Sequence, residues 1–448
     1  MQGAYILAVY VTLFVVGLSR PFVMGLGYVW TDLFRPEDMY PTIMGAFPVS
    51  LIMGSGAAAV YLVSGRKYLP RFSSTLFLLI SFGLWMTLAC TWAEAPEAVW
   101  SKWDWAIKTF VFAVMIPFLF QSRVQIEAFV LTIIFAVCGV IVPVGIKTVI
   151  SGGGYDFSLS PLQVESGIGE GATLGMSAAT IIPLIIFGAR CSIILPWIRV
   201  RIFGSVALVI ACVTAVLGTF ERTSFVALAA TGGLLTLQSK RKVMVGTLII
   251  LVAAAALPIV GSHWMDRMQT ISTDPTDDSA RIRLAVWSWT IDYVKVHPFG
   301  GGLNLFYKDT ISLVGADEHI YSKSSVAAHS IYFEILGETG IAGLLIWIML
   351  IMEFYRGMWV LRRRVSGFSE LIWLHQLINM LSTSVTVYLI GGTFIGIAYQ
   401  PLLYYMISLG ICLREYYRRW EGSDNALRSV LRTGILPSVP APKPRATN

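Results

Sequence analysis

The chain has 448 residues, of which 56% are hydrophobic and 13% charged, and its net charge is +7. Soluble proteins average about 25% charged residues, so this chain cannot coat a water-soluble globule of its size, and lipid is the natural solvent for its surface. The excess of Lys and Arg is then an orientation signal in membrane loops, and nucleic acid is excluded as a partner.

The apolar runs are continuous over roughly 17 to 25 residues, the length a helix needs to cross the hydrocarbon core. They do not alternate as barrel strands do. The expected fold class is an all-α polytopic membrane protein with about 12 transmembrane helices. The first run, 4–30, is interrupted by Ser19-Arg20-Pro21, which predicts a broken or re-entrant helix. It has no small-residue cleavage site followed by a soluble domain, so it reads as a retained helix and not a signal peptide. After a polar turn at 31–41, helices are expected at 42–64, 73–92, 105–120, 127–149, 172–188, 203–218, 224–237 and 243–260. A Trp-rich loop at 91–104 suits the headgroup belt, and a Gly-rich acidic loop fills 151–171. A long polar segment, 261–330, precedes helices at 331–354, 371–391 and 396–413.

The expected organisation is an N-terminal bundle of about nine helices over 1–260, then a long loop with the catalytic elements and amphipathic helices over 261–330. C-terminal transmembrane helices follow over 331–413. The polar, basic tail at 414–448 is expected to be disordered. The five cysteines, Cys90, Cys138, Cys191, Cys212 and Cys412, form no CxxC pair and nearly all lie in or beside apolar runs. They read as small buried hydrophobes, without a disulfide framework or a zinc site.

Orientation follows from the basic residues. Arg66, Lys67, Arg71, Arg123, Arg190, Arg199, Arg201, Lys240, Arg241, Lys242, Arg356, Arg362, Arg363 and Arg364 fall in alternate connections. The intervening short connections are mainly acidic. The basic set, and with it both termini, is placed in the cytoplasm. Arg222, the Gly-rich loop and the 261–330 segment then share the outer face, which is the periplasm in a Gram-negative cell.

That face gathers the candidate chemistry. Four of the five histidines, His263, His297, His319 and His329, lie in the long segment. From Asp278 onward, Ile282, Ala285, Val286, Trp289, Tyr293 and Val296 form one helical stripe, with Asp278 or Ser279 as N-cap. The helix stops at His297-Pro298, where His297 reads as structural. Gly300, Gly301 and Gly302 let the backbone turn tightly or approach a ligand closely. Arg283 lies off the stripe, four residues before Trp287, with Arg281 near it. Arg283 reads either as an anion clamp, since guanidinium forks onto phosphate oxygens, or as a surface partner of Asp277 or Asp278. Arg222 sits in a very short turn close to the hydrocarbon, where a charge is costly. It is either functional, paired with Glu221, or snorkelling to headgroups. His329 opens a helix, and is either a general base or a cap. No HExxH, DxD, GxSxG or GKS/T pattern is present, and no metal site or cofactor is expected.

HPFGGGLNLF (297–306) followed by AHSIYFEILGETGIAGLL (328–345), with Arg283 four residues before Trp287, resembles the O-antigen ligase and Wzy polymerase superfamily. GTFERTSFVAL (218–228) is similar to that superfamily's "SRG" helix start, with Arg222 at the Arg position, Glu221 in place of Ser and Thr223 in place of Gly. A closer resemblance covers most of the chain. RPFVMGLGYVW, AEAPEAVWSKWDWAIK, SGGGYDF, WMDRMQTIST and DDSARIRLAVW look like the O-glycosylation ligase group associated with exosortase A systems.

The resemblance implies a GT-C-like integral membrane glycosyltransferase of the bacterial inner membrane. Such an enzyme takes a glycan from undecaprenyl diphosphate on the outer face and passes it to a lipid, protein or glycan acceptor. The chemistry implied is metal-independent and inverting. The family's essential histidine falls on His329 and its two arginines on Arg222 and Arg283. Arg281 and Lys108 are further candidates for the diphosphate, and Glu338 and Glu170 for acceptor binding or orientation. Two other readings stand beside it: a Wzy-type polymerase with the same chemistry, and a transporter of lipid-linked sugars. A transporter is expected to show related halves and midplane polar groups. The chain shows no convincing internal repeat, and its polar residues cluster on the outer face.

Overall fold

The computed structural model describes residues 2–45, 47–64, 69–151, 171–244, 246–247, 278–307, 311–314, 320–323 and 327–433. Most of the Gly-rich loop, Glu170, most of the helix expected at 243–260, His263, His319 and the 434–448 tail lie outside them.

The interruption at Ser19-Arg20-Pro21 divides α1 (Gln2–Gly17) from α2 (Pro21–Phe34). Pro21 takes the first helical position, where its missing N–H costs no hydrogen bond. The two helices form an antiparallel hairpin: Tyr10 stacks on Trp30 with ring centroids 5.4 Å apart, and Gly17 abuts Met24. The break expected in the 4–30 run is therefore a re-entrant turn between two helices. The hairpin brings the start of α1 to the end of the bundle where α2 finishes, where Asp32 accepts from the Tyr405 hydroxyl.

Two short helices, α3 (Pro36–Met39) and α4 (Pro41–Met44), lead to α5 (Val49–Val63), α6 (Ser74–Ala89) and α7 (Pro96–Leu119). The Trp-rich stretch at 91–104 is therefore mostly helix and not loop. Pro96 starts α7 and Glu97 sits in its first turn, which favours a helix N-terminus. Next come α8 (Arg123–Ser151), α9 (Gly171–Cys191), α10 (Ile198–Gly218) and α11 (Arg222–Gln238).

Within the polar segment lie α12 (Asp278–Val296) and an antiparallel hairpin of β1 (Ile311–Val314) and β2 (Ile320–Lys323), which pairs Ile311 with Lys323. The stripe of α12 is borne out with one shift: Val286, Thr290 and Val294 are buried, whereas Val296 is exposed. The chain ends in α13 (Ile331–Val365), α14 (Ile372–Gly391) and α15 (Pro401–Thr433).

The last helix does not stop at 413. It continues to Thr433, and the turns just past 413 are anchored. Tyr417 is buried, Arg414 donates to Thr75 Oγ1 at 2.8 Å, and Arg419 donates to the Gln121 carbonyl. The 401–413 stretch is buried throughout and forms the axis of the bundle.

This is an all-α polytopic membrane protein. Six helical stretches among the described residues are long and apolar enough to cross a bilayer: Ser74–Trp92, Arg123–Ile150, Gly171–Cys191, Ile198–Gly218, Ile331–Val365 and Ser369–Phe394. On α10, Ile198, Val200, Phe203, Val206 and Ile210 are all exposed. In water such a face marks an interaction surface, and in hydrocarbon it needs no cover. Buried hydroxyls in the helices bond to carbonyls four residues back, as Thr31 does to Gly27 and Thr148 to Val144.

Alternate helices run antiparallel, so the ends of α2, α6, α8, α10 and α14 meet the starts of α7, α9, α11, α13 and α15 at one face. The Arg and Lys groups of 123, 190–201, 240–242 and 356–364 gather at the other.

Candidate functional site

The site-bearing helix is α13, and it is broken. Gly340 has φ 70° and ψ −170° inside it. Ile341 N–H, which an unbroken helix would send to the Gly337 carbonyl, donates instead to the Pro298 carbonyl at 2.9 Å. The carbonyls freed at the break are all taken up. Gly337 accepts from Gly301 N–H at 2.9 Å and Glu338 from Gly302 N–H at 3.0 Å, while Thr339 accepts from the Trp85 indole at 2.8 Å. Buried backbone groups must find such partners. The 298–302 turn is thus a clip sewn into the gap of α13.

The clip explains the glycines. A Cβ on Gly300 would stand 2.5 Å from Gly340 N. One on Gly302, whose φ is +78°, would stand within 3.0 Å of Ala93. The close approach that the triple glycine allows is to the chain's own backbone and, at Gly301, to the Leu305 and Tyr293 side chains. His297 belongs to the same joint. It stacks on Tyr293 at 4.3 Å, Tyr293 donates to Glu94 Oε1 at 2.7 Å, and Glu94 N–H donates to the Gly301 carbonyl at 2.9 Å. Burial, reinforced by the Glu94 carboxylate, pushes the Tyr293 hydroxyl well above its ordinary range, so it stays a donor.

His329 lies just ahead of α13 with φ 47°, in the left-handed region. For a non-glycine residue this costs roughly 1–2 kcal/mol, and such strain persists where the surroundings over-determine it. Here α12 supplies them. Val286 packs with Leu305, Phe306 and Ala328. Trp287 donates its indole N–H to the Ala328 carbonyl at 2.9 Å and stacks on Phe333 at 4.9 Å. Arg283, one turn before Trp287, is half-buried and makes no hydrogen bond or ion pair to another described residue. Arg281 is exposed.

Arg222 is the first residue of α11, behind a buried Phe220 with φ 50°. It is exposed, at a helix N-terminus where free N–H groups favour anions. The turn packs tightly on α9, with Ser224 against Gly175. The corner after α14 joins this turn to His329: Gly391 faces Met176 and Ala227, and Gly392 faces Ile331. Tyr332 also donates to the Leu389 carbonyl at 3.1 Å. The structure therefore brings α11, α12 and the start of α13 around one corner, although they lie far apart in sequence. Lys108 stands apart on α7, paired with Asp104 at 2.6 Å, and both side chains are exposed.

Lys102, Glu334 and Asn304 were not singled out from sequence, although Glu338 was. Lys102 Nζ lies 2.6 Å from Glu334 Oε1 and 2.7 Å from Glu338 Oε1, and all three side chains are at most 11% exposed. The carboxylates also accept backbone N–H groups, Glu338 from Asn304 and Glu334 from Ala398, each at 2.9 Å. Asn304 in turn donates to the Ala98 carbonyl at 2.8 Å. The available signal was two Glu residues one turn apart at the head of an apolar helix, which require a cation.

Residues 206–348 match the O-antigen ligase family, and residues 1–193 match a family of unknown function, DUF5935. No curated protein matches the chain. The first match begins within α10, takes in α11 and α12, and ends within α13, so it includes Arg222, Arg283, the glycine clip and His329. The chain is thus a membrane protein whose 206–348 region is similar to the O-antigen ligase family.

Proposed function

We propose that the protein transfers a glycan from undecaprenyl diphosphate to an acceptor hydroxyl, with His329 as general base and Arg222 and Arg283 holding the diphosphate. The observation that carries this reading is the joint between α12 and α13. Trp287 ties the helix bearing Arg283 to the residue preceding a strained His329. A diphosphate leaving group develops negative charge as the glycosidic bond breaks, and fixed guanidinium groups aimed at it stabilise that charge without a divalent metal. The acceptor hydroxyl loses its proton as it attacks, and a neutral imidazole takes it. With the base and the diphosphate on opposite faces of the sugar, the anomeric centre inverts. Arg281, exposed near Arg283, and Lys108, already engaged by Asp104, take subsidiary places in this scheme.

The basic residues at the opposite end of the bundle support a location in the cytoplasmic membrane with the site facing the periplasm. On this reading the C-terminus is cytoplasmic, and with α1 and α2 as a hairpin the N-terminus lies outside.

The test is turnover of a defined undecaprenyl diphosphate glycan by purified protein. His329→Ala is expected to lower kcat by about 10²–10⁴-fold, as for loss of a general base, while lipid binding persists. Arg222→Ala and Arg283→Ala should each cost about 10²–10³-fold, the scale of losing one fixed electrostatic donor. Full turnover in His329→Ala removes the base assignment. A single transferred unit identifies a ligase and a ladder of repeat lengths a polymerase.

A further inference from the structure

We infer that Lys102 is a positioning residue for His329, supplied by the region of unknown function to the ligase region. The inference rests on the reading of His329 as the base. Lys102 lies on α7, within residues 1–193, and both of its partners lie in the first two turns of α13, within residues 206–348.

One ammonium joins four separate pieces of chain. It holds Glu334 and Glu338 directly. Through Glu338 it holds Asn304, which leaves the glycine clip with φ 61°. Through Glu334 it holds Ala398, in the corner that faces α13. That corner is also close to the histidine: a Cβ on Gly396 would stand 3.5 Å from Glu334 Oε2 and 3.6 Å from His329 N. The break at Gly340 removes the helix's own continuity on the other side, so the first turns of α13 are set by these ion pairs together with the hydrogen bonds of the 298–302 clip and Trp85.

A buried cation between two carboxylates is a weak source of net stability, since desolvation offsets most of the attraction. Its geometry is nevertheless sharply defined. Two carboxylates 2.6 and 2.7 Å from one nitrogen leave little freedom to either backbone.

The experiment compares Lys102→Met, Lys102→Arg and a triple variant, Lys102→Met/Glu334→Gln/Glu338→Met, that removes the whole charge cluster. Each is measured for kcat, KM for the lipid-linked glycan, unfolding temperature, and the rate of His329 carbethoxylation by diethyl pyrocarbonate read by mass spectrometry. Lys102→Met is expected to lose about 100-fold in kcat, the scale of a misplacement of one ångström, with KM within about threefold of the parent and a changed His329 modification rate. Lys102→Arg, which keeps the charge, should recover most of kcat. The triple variant should recover the unfolding temperature but not kcat.

Turnover within about threefold of the parent in a folded Lys102→Met or triple variant overturns the inference. So does unfolding of both neutral variants, which assigns the lysine to stability alone. If His329→Ala keeps full turnover, the base reading itself falls. If His329→Ala is inactive and Lys102→Met is not, the positioning role alone falls.

Discussion

Two long apolar helices, α10 and α13, have been shaped to opposite ends. Along α10 the backbone is unbroken, its lipid face is apolar, and after Arg199 and Arg201 at its start it carries no charged side chain. The first part of α13 is preceded by a left-handed His329, holds two buried carboxylates, breaks at Gly340 and is repaired by hydrogen bonds from elsewhere. A membrane favours the first kind of helix, since every backbone group is satisfied internally. The second survives only where other protein segments supply partners. Departures from helical continuity therefore mark where the chain has been shaped for something besides crossing the bilayer.

Substitutions sharpen the contrast, and the largest effect is expected at the break. Gly340→Val forces a branched residue into a left-handed conformation against Pro298 and Phe299. Strain and overpacking together cost about 3 kcal/mol or more, read as a large fall in unfolding temperature in detergent with loss of turnover. Gly302→Ala meets Ala93 with φ +78° and should cost about 1–3 kcal/mol. Trp287→Phe keeps the stack on Phe333 and loses the bond to Ala328, for about 1 kcal/mol. Its turnover should fall further than its stability does, because the lost bond adjoins His329. Val206→Leu on the lipid face of α10 should stay within about 0.5 kcal/mol and leave kcat unchanged. A fall there equal to that of Trp287→Phe would break the comparison.

Much of this was legible in the sequence. The apolar runs gave the fold class, and the interruption at Arg20 marked a real break. The spacing of Arg283, Trp287, the glycines and His329 marked the segment that meets α13. Other features were hidden for physical reasons. A Trp-rich, acidic stretch looks like loop, yet Pro96 makes it the start of α7. Lys102 finds its carboxylates 232 and 236 residues away, and no local pattern records a pairing at that range. Gly340 sits in an apolar run that reads as continuous, because the bonds replacing its helical ones come from 298–302 and Trp85. At Arg20 composition left a broken and a re-entrant helix both open, because it shows a break but not the angle across it.

The clip at Gly340 has a mechanical meaning. Beyond the break, 341–365 is a membrane-crossing shaft with one face in the bundle and the other exposed, and such shafts tilt when bilayer thickness changes. The segment 331–339 hangs from the 298–302 turn, Trp85 and Lys102 instead, so it is coupled to the shaft through a joint and not through a rigid rod. Tilt of the shaft is expected to be taken up at the glycine, leaving the geometry around His329 fixed. Reconstitution in phosphatidylcholine vesicles of increasing acyl-chain length should leave kcat nearly constant. A steep dependence on thickness would show that the two halves of α13 move as one body.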